Sequence, residues 1–314
     1  TPPIPTYLEF PAQAGAASGK HRSKLTVNTG RGAARLDITV TVDPVTLPTR
    51  LPFRTAATGD WSLAGYYGRE PTLDEKQAFW NFCLDHRLSP CAFFGKAPDP
   101  APEHLGPLAV RGLSLVCLMQ VSGRNPRPLS EQAKAHYGPL LARWRQTLAD
   151  QGLLHDAVIL LADEPPAESL AICRDNAAFF KAHFPELKIW VASRPAPGWT
   201  DFVDVFDVVT AHSTDLYKAH SHDQEVFERW RADHPDGEYW WFHSVEPNAP
   251  YPNLRLDNRL IEARVAGWQS ALAGVDGYEY FWIAAWSDNA DSANNPWPDR
   301  AALWKTGLSG GIGR

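Results

Sequence analysis

The sequence predicts an α/β fold: a (β/α)8 TIM-like barrel preceded by a small β segment. Three observations carry this reading. From about residue 51 onward, eight short apolar runs alternate with helical patterns over roughly 260 residues, the usual size of such a barrel. One run, residues 157–162, has no polar relief and reads as a strand buried on both faces, as in a parallel sheet. No G-x-G-x-x-G turn follows any run, which disfavours the rival, a doubly wound open sheet.

Residues 1–50 are rich in Thr, Val, Gly and Ala and show little helical periodicity. Residues 24–28 and 35–42 alternate in polarity about Gly30-Arg31-Gly32, which is a hairpin signature. Pro44, Pro48 and Pro52 mark a linker. The barrel is expected over 51–308, with 309–314 as a loose tail. Its strands are expected at 53–58, 91–95, 113–119, 156–162, 187–193, 202–210, 238–244 and 277–284. The helical patterns run over 73–85, 130–150, 167–183, 223–233 and 260–273. The stretch 95–130 is rich in Pro and Gly and reads as a long, helix-poor loop at the top of the barrel.

Composition narrows the function. A net charge of −6 argues against nucleic acid and against an anionic membrane surface. No apolar stretch reaches the 18 or so residues of a transmembrane span. Thirteen Trp are many for 314 residues; they can fill a large core or form flat platforms on which sugar rings stack. Of the four cysteines, Cys83 and Cys117 lie in apolar surroundings and read as buried thiols. One disulfide is open on the count. No H-E-x-x-H or C-x-x-C motif occurs, and His220-Ser221-His222-Asp223, the nearest approach to a metal cluster, reads as a solvated connection. Neither a metal nor any other cofactor is expected. A start at Thr1 without Met fits a processed N-terminus. The expected location is secreted or periplasmic, with the cytoplasm as the alternative.

The candidate chemistry sits at strand ends. The fourth run stops abruptly in Asp163-Glu164-Pro165-Pro166, where barrels of this kind place their catalytic groups. The bland alternative is a helix N-cap with a first-turn acid. The sixth strand ends in His212. The seventh gives Trp240-Trp241-Phe242-His243 and then Glu246, and the eighth gives Tyr280, Trp282 and Trp286. Carboxylates, His and Trp converging on one face suit a sugar-cleaving pocket, which needs an acid for the leaving oxygen and a second group for the oxocarbenium-like carbon. A Trp-Trp pair is more often core, and the His residues can equally be satisfied loop histidines.

An ordered series of motifs sharpens this. Glu238-Tyr239-Trp240-Trp241, Pro250-Tyr251-Pro252-Asn253, Glu262-Ala263-Arg264 with Gly267-Trp268, and Gly274-Val275-Asp276-Gly277-Tyr278 followed by Phe281-Trp282 and Trp286 resemble the C-terminal signature of the glycoside hydrolase family 123-like catalytic domain. Asp163-Glu164-Pro165 matches the family's D-E-P after the fourth strand. The short β segment resembles the tail of the β-sandwich that precedes this barrel.

The resemblance implies a β-N-acetylgalactosaminidase-like enzyme with a carbohydrate substrate. It also implies substrate-assisted catalysis, in which the sugar's 2-acetamido oxygen attacks the anomeric carbon. Glu164 would then be the acid and later the base, and Asp163 would orient the acetamido group. Repulsion between vicinal carboxylates should raise one pKa, as an acid working near neutrality requires. Trp241, Trp282, Trp286, His212, His243, Tyr280 and Glu246 are the expected substrate-binding residues. Phe242-His243 replaces the family's Tyr-Cys, and Ile283-Ala284-Ala285 replaces an Asn-containing run; both departures bear on the identity of the sugar. Two alternatives stay open: an ordinary retaining pair of Glu164 and Glu246 acting on a sugar without an acetamido group, and a carbohydrate-binding barrel without activity.

Overall fold

The structure is a computed structural model, and it describes residues 15–30, 32–58, 69–91, 100–193, 205–213, 222–244, 247, 250–254 and 258–280. The chain divides into two units, Thr1–Pro48 and Thr49–Arg314. In the first, β1 (Gly19–Thr29) and β2 (Gly32–Val42) pair antiparallel from Gly19 opposite Val42 to Thr29 opposite Gly32. The hairpin is as expected from the alternation, though both strands are longer than the alternating segments alone.

The second unit alternates strand and helix. The elements in order are β3 (Arg54–Thr58), α1 (Leu73–Asp85), β4 (Pro90–Cys91), α2 (Leu105–Ala109), β5 (Val116–Ser122), α3 (Glu131–Asp150), β6 (Ala157–Asp163), α4 (Leu170–His183), β7 (Lys188–Ala192), β8 (Val208–His212), α5 (His222–Asp233), β9 (Glu238–His243), α6 (Leu260–Leu272) and β10 (Gly277–Tyr280). The eight strands pair in parallel in the order β4-β3-β10-β9-β8-β7-β6-β5. The first barrel strand, β3, therefore pairs with the last, β10, and the sheet is a nearly closed barrel. Among the described residues no ladder joins β4 to β5. There the Ser89 hydroxyl meets the Ser114 hydroxyl at 3.0 Å and accepts the Ser114 N–H at 3.1 Å. Side-chain bonds thus bridge the seam where backbone pairing is missing.

Local sequence explains the best-defined helix. Thr72 caps α1 by accepting the Glu75 N–H, while Glu75 accepts the Thr72 N–H at 2.7 Å. Two orphan donors of the first turn are satisfied by this reciprocal box. The expected loop over 95–130 needs correction. It contains α2, whose Leu105 and Leu108 are buried, and β5 begins three residues later than expected. Its Pro and Gly content masked a short helix anchored by two leucines.

Alternation along the strands sorts the core into two layers. Val158, Leu160, Trp190, Ala192, Val208 and Trp240 fill the barrel interior with Ala56, Cys91, Leu115 and Cys117. Ile159, Leu161, Ile189, Val191, Val209 and Trp241 face outward into the larger core beneath the helices. Trp190 and Trp240 lie with ring centroids 5.3 Å apart inside the barrel. A Cβ on Gly277 would stand 2.6 Å from the Trp240 ring, so the bare backbone of β10 makes room for the indole. All four cysteines are buried and none forms a disulfide. Burial pushes the Cys83 thiol up to about 12. No described helix is long and apolar enough to cross a membrane.

Candidate active site

The site grows from an irregularity in β6. Val158 and Leu160 point inward and Ile159 outward, so strict alternation would send Ala162 inward and Asp163 out. The register between β6 and β7 instead shifts between Leu160 and Ala162. Leu160 stands beside inward Trp190, Ala162 beside outward Val191, and Asp163 beside inward Ala192. This bulge, a device that re-aims side chains next to functional sites, turns Asp163 into the barrel mouth. The Ser122 hydroxyl occupies the Leu161 carbonyl at 2.8 Å.

Glu164 follows with φ = 46°, in the left-handed region that a non-glycine residue rarely adopts. Its N–H donates to the Ala192 carbonyl at 2.7 Å, and its carboxylate forms an ion pair with Arg124, which extends from the segment after β5. The backbone reversal lets two consecutive carboxylates serve one end of the barrel. The helix-cap alternative does not hold, because Pro166 and Ser169 occupy the cap positions of the turns that follow.

A third carboxylate completes the group. Glu279 on β10 is 4% exposed and interacts electrostatically with both Asp163 and Glu164. Burial, then the charges of Asp163 and Glu164, hold its pKa well above the usual carboxylate range, against an opposing hydrogen bond from Thr210. Burial and the neighbouring charge of Glu164 push Asp163 up to about 6, with Arg124 working in the other direction. The rise therefore falls on Asp163, the member aimed inward and not the residue expected to act as acid, and burial contributes more to it than the repulsion that was expected to cause it.

The other expected residues scatter. Trp241 is a correction: it lies on the outward face of β9 in the core beneath the helices, 5% exposed, with its N–H donating to the Tyr239 hydroxyl at 3.3 Å. Strand parity gives the interior to Trp240 and denies it to Trp241, so this ring offers no face to a sugar. Tyr280 is a second correction. It is 6% exposed and pairs with His243 on the face opposite Glu279. The inward acid on β10 is its neighbour.

His243 is fully buried, with Nδ1 2.5 Å from the Tyr278 hydroxyl. Burial, helped by His212, drives its pKa down to about 3, so the ring is neutral. His212 is fully buried, with Nε2 3.3 Å from the Ser244 hydroxyl and its ring edge-on to Phe242. Trp282, Trp286 and Glu246 lie outside the described residues. Sequence reasoning missed Glu279 and Arg124. The first could have been flagged as an acid inside an aromatic strand; the second carried no signal. Among the described residues no cluster of His, Cys, Asp and Glu could hold a metal.

Comparison with known proteins settles the family. The glycoside hydrolase 123 catalytic domain matches residues 118–307, more than half of the chain and inclusive of Asp163, Glu164 and Glu279. The chain belongs to this family. Among solved structures it is similar to a family 123 glycoside hydrolase from Clostridium perfringens, described for glycolipid glycan hydrolysis, with a TM-score of 0.59 at 13% identity. That match covers 85% of this chain and 56% of the clostridial one, so the chain spans little over half of that relative. A β-glucuronidase from an uncultured Clostridium species follows at a TM-score of 0.45 and 14% identity, covering 86% of this chain and 50% of the other. No curated protein sequence matches. The family 123 likeness extends to the fold, an alternating strand–helix barrel with a β segment before it.

Proposed function

We propose that this domain cleaves a β-linked N-acetylhexosamine, N-acetylgalactosamine being favoured, by substrate-assisted retaining catalysis. The observation that supports this most directly is the adjacent pair at the end of β6, with Asp163 turned into the mouth by the bulge and Glu164 turned by its left-handed backbone. In this reading the acetamido oxygen attacks the anomeric carbon while Glu164, protonated once it leaves its ion pair with Arg124, gives its proton to the departing glycosidic oxygen. The bond to the leaving group breaks and an oxazolinium forms on the sugar itself. Asp163, as a carboxylate, accepts the acetamido N–H and offsets the positive charge. Glu164 then takes a proton from water, which opens the ring with the original stereochemistry.

A screen of aryl β-glycosides with and without the 2-acetamido group tests this. Hydrolysis should be confined to the acetamido series, and a thiazoline mimic of the oxazolinium should inhibit. Equal hydrolysis of 2-hydroxy glycosides, or a covalent adduct on Glu246 after treatment with a 2-fluoro glycoside, would favour the two-carboxylate mechanism instead. Binding without turnover in either series would make the domain a carbohydrate-binding barrel.

A further inference from the structure

Glu279 takes no part in the steps above, yet it is built into the same mouth. It stands two residues beyond Gly277 on β10 and shares that residue's inward face. The Trp190 indole N–H donates to Thr210 Oγ1 at 2.6 Å, which leaves the Thr210 proton for Glu279. Glu279 Oε2 is buried and has no hydrogen-bond partner among the described residues. An ionised carboxyl here would face Asp163 and Glu164 with little solvent, so the proton stays on it. A neutral carboxyl has one O–H to give, and a buried donor left unmet is costly.

We propose that Glu279 is a substrate-recognition residue: a neutral carboxylic acid beside Asp163 and Glu164 whose Oε2–H, covered in this structure, is given to a hydroxyl oxygen when a sugar seats between the strand ends. The assignment rests on reading this mouth as the glycosidase subsite. Its chemistry fits that ligand, since a sugar presents oxygens that accept and adds no charge beside Asp163.

The test compares Glu279→Leu, which removes the donor, with Glu279→Gln, which keeps a neutral donor. Glu279→Leu should lose on the order of 10²-fold in kcat/KM and bind N-acetylgalactosamine correspondingly more weakly in calorimetry, with the fold intact by circular dichroism. Glu279→Gln should restore both to within about tenfold of the wild-type values. The wild type at pH 7 should show the infrared carbonyl band of a protonated carboxyl, and this band should vanish in both variants. Glu279→Gln as impaired as Glu279→Leu, absence of the band, or unchanged sugar affinity in Glu279→Leu would each overturn the proposal. A wild-type chain that hydrolyses no acetamido glycoside would instead count against the proposed activity, while the band and the sugar titration still decide the role of Glu279.

Discussion

The Ser122 hydroxyl donates to the Leu161 carbonyl at 2.8 Å, joining the third barrel strand to the bulge of the fourth. A bulge leaves backbone groups out of the ladder, and a buried carbonyl without a donor is destabilising. Ser122 supplies that donor. The hydrogen bond therefore does more than hold two strands together: it stabilises the phase change that points Asp163 into the barrel.

Ser122→Ala should cost about 1–2 kcal/mol in urea unfolding, the cost of a buried acceptor losing its donor. It should also lower kcat/KM roughly tenfold, because small displacements of a reacting group are expensive. A stability loss with unaltered kinetics would show that the bulge keeps its shape without this bond.

Glu164→Gln should cut turnover of substrates with poor leaving groups on the order of 10²-fold or more, since these need protonation. Aryl glycosides with acidic phenols should lose much less in their first step. Equal losses across a leaving-group series would remove Glu164 from the role of acid.

Asp163→Asn should act oppositely on stability and activity. The folded chain holds this carboxyl at about 6, against an ordinary value of 3.8. An acid with a raised pKa binds its proton more tightly when folded, so its stabilising contribution is present below about pH 4 and is lost as the pH climbs through about 6. Above that, the ionised side chain costs the fold about 3 kcal/mol. The Asn variant should therefore unfold at a higher temperature than the wild type at pH 7, and this advantage should vanish near pH 4. Turnover of acetamido substrates should collapse at every pH.

Trp241→Ala should behave as a core truncation, losing about 3–5 kcal/mol with no selective change in KM. Of the three Trp expected to form a stacking platform, Trp282 and Trp286 then remain, and their Ala variants should raise KM while the thermal midpoint stays put. Wild-type KM in both would dispose of the platform.

Much of the barrel was legible because its parts obey local rules. The Thr72–Glu75 box marks the start of α1, and the apolar run of β6 declares a strand buried on both faces. The phase of that same run was not legible. Val158, Ile159, Leu160, Leu161 and Ala162 are all apolar, so nothing in them records where the alternation slips. The site suffered from the same ambiguity. Asp163 and Glu164 stood out as polar residues at the end of an apolar strand, whereas Trp241 and Tyr280 were chosen over inward-facing neighbours because composition cannot tell one face of an aromatic strand from the other. Glu279 was hidden among tyrosines, and Arg124 acts across forty residues of chain.

The left-handed backbone of Glu164 carries a consequence for how this protein can change. A non-glycine residue there holds a conformation worth of order 1 kcal/mol or more in strain, which glycine would relieve. Selection for heat resistance alone should therefore favour Glu164→Gly, and the reward would arrive together with loss of the carboxylate. With the acid role proposed for Glu164, durability and chemistry pull the sequence in opposite directions at this position, and demand for turnover is what would keep the carboxylate in place.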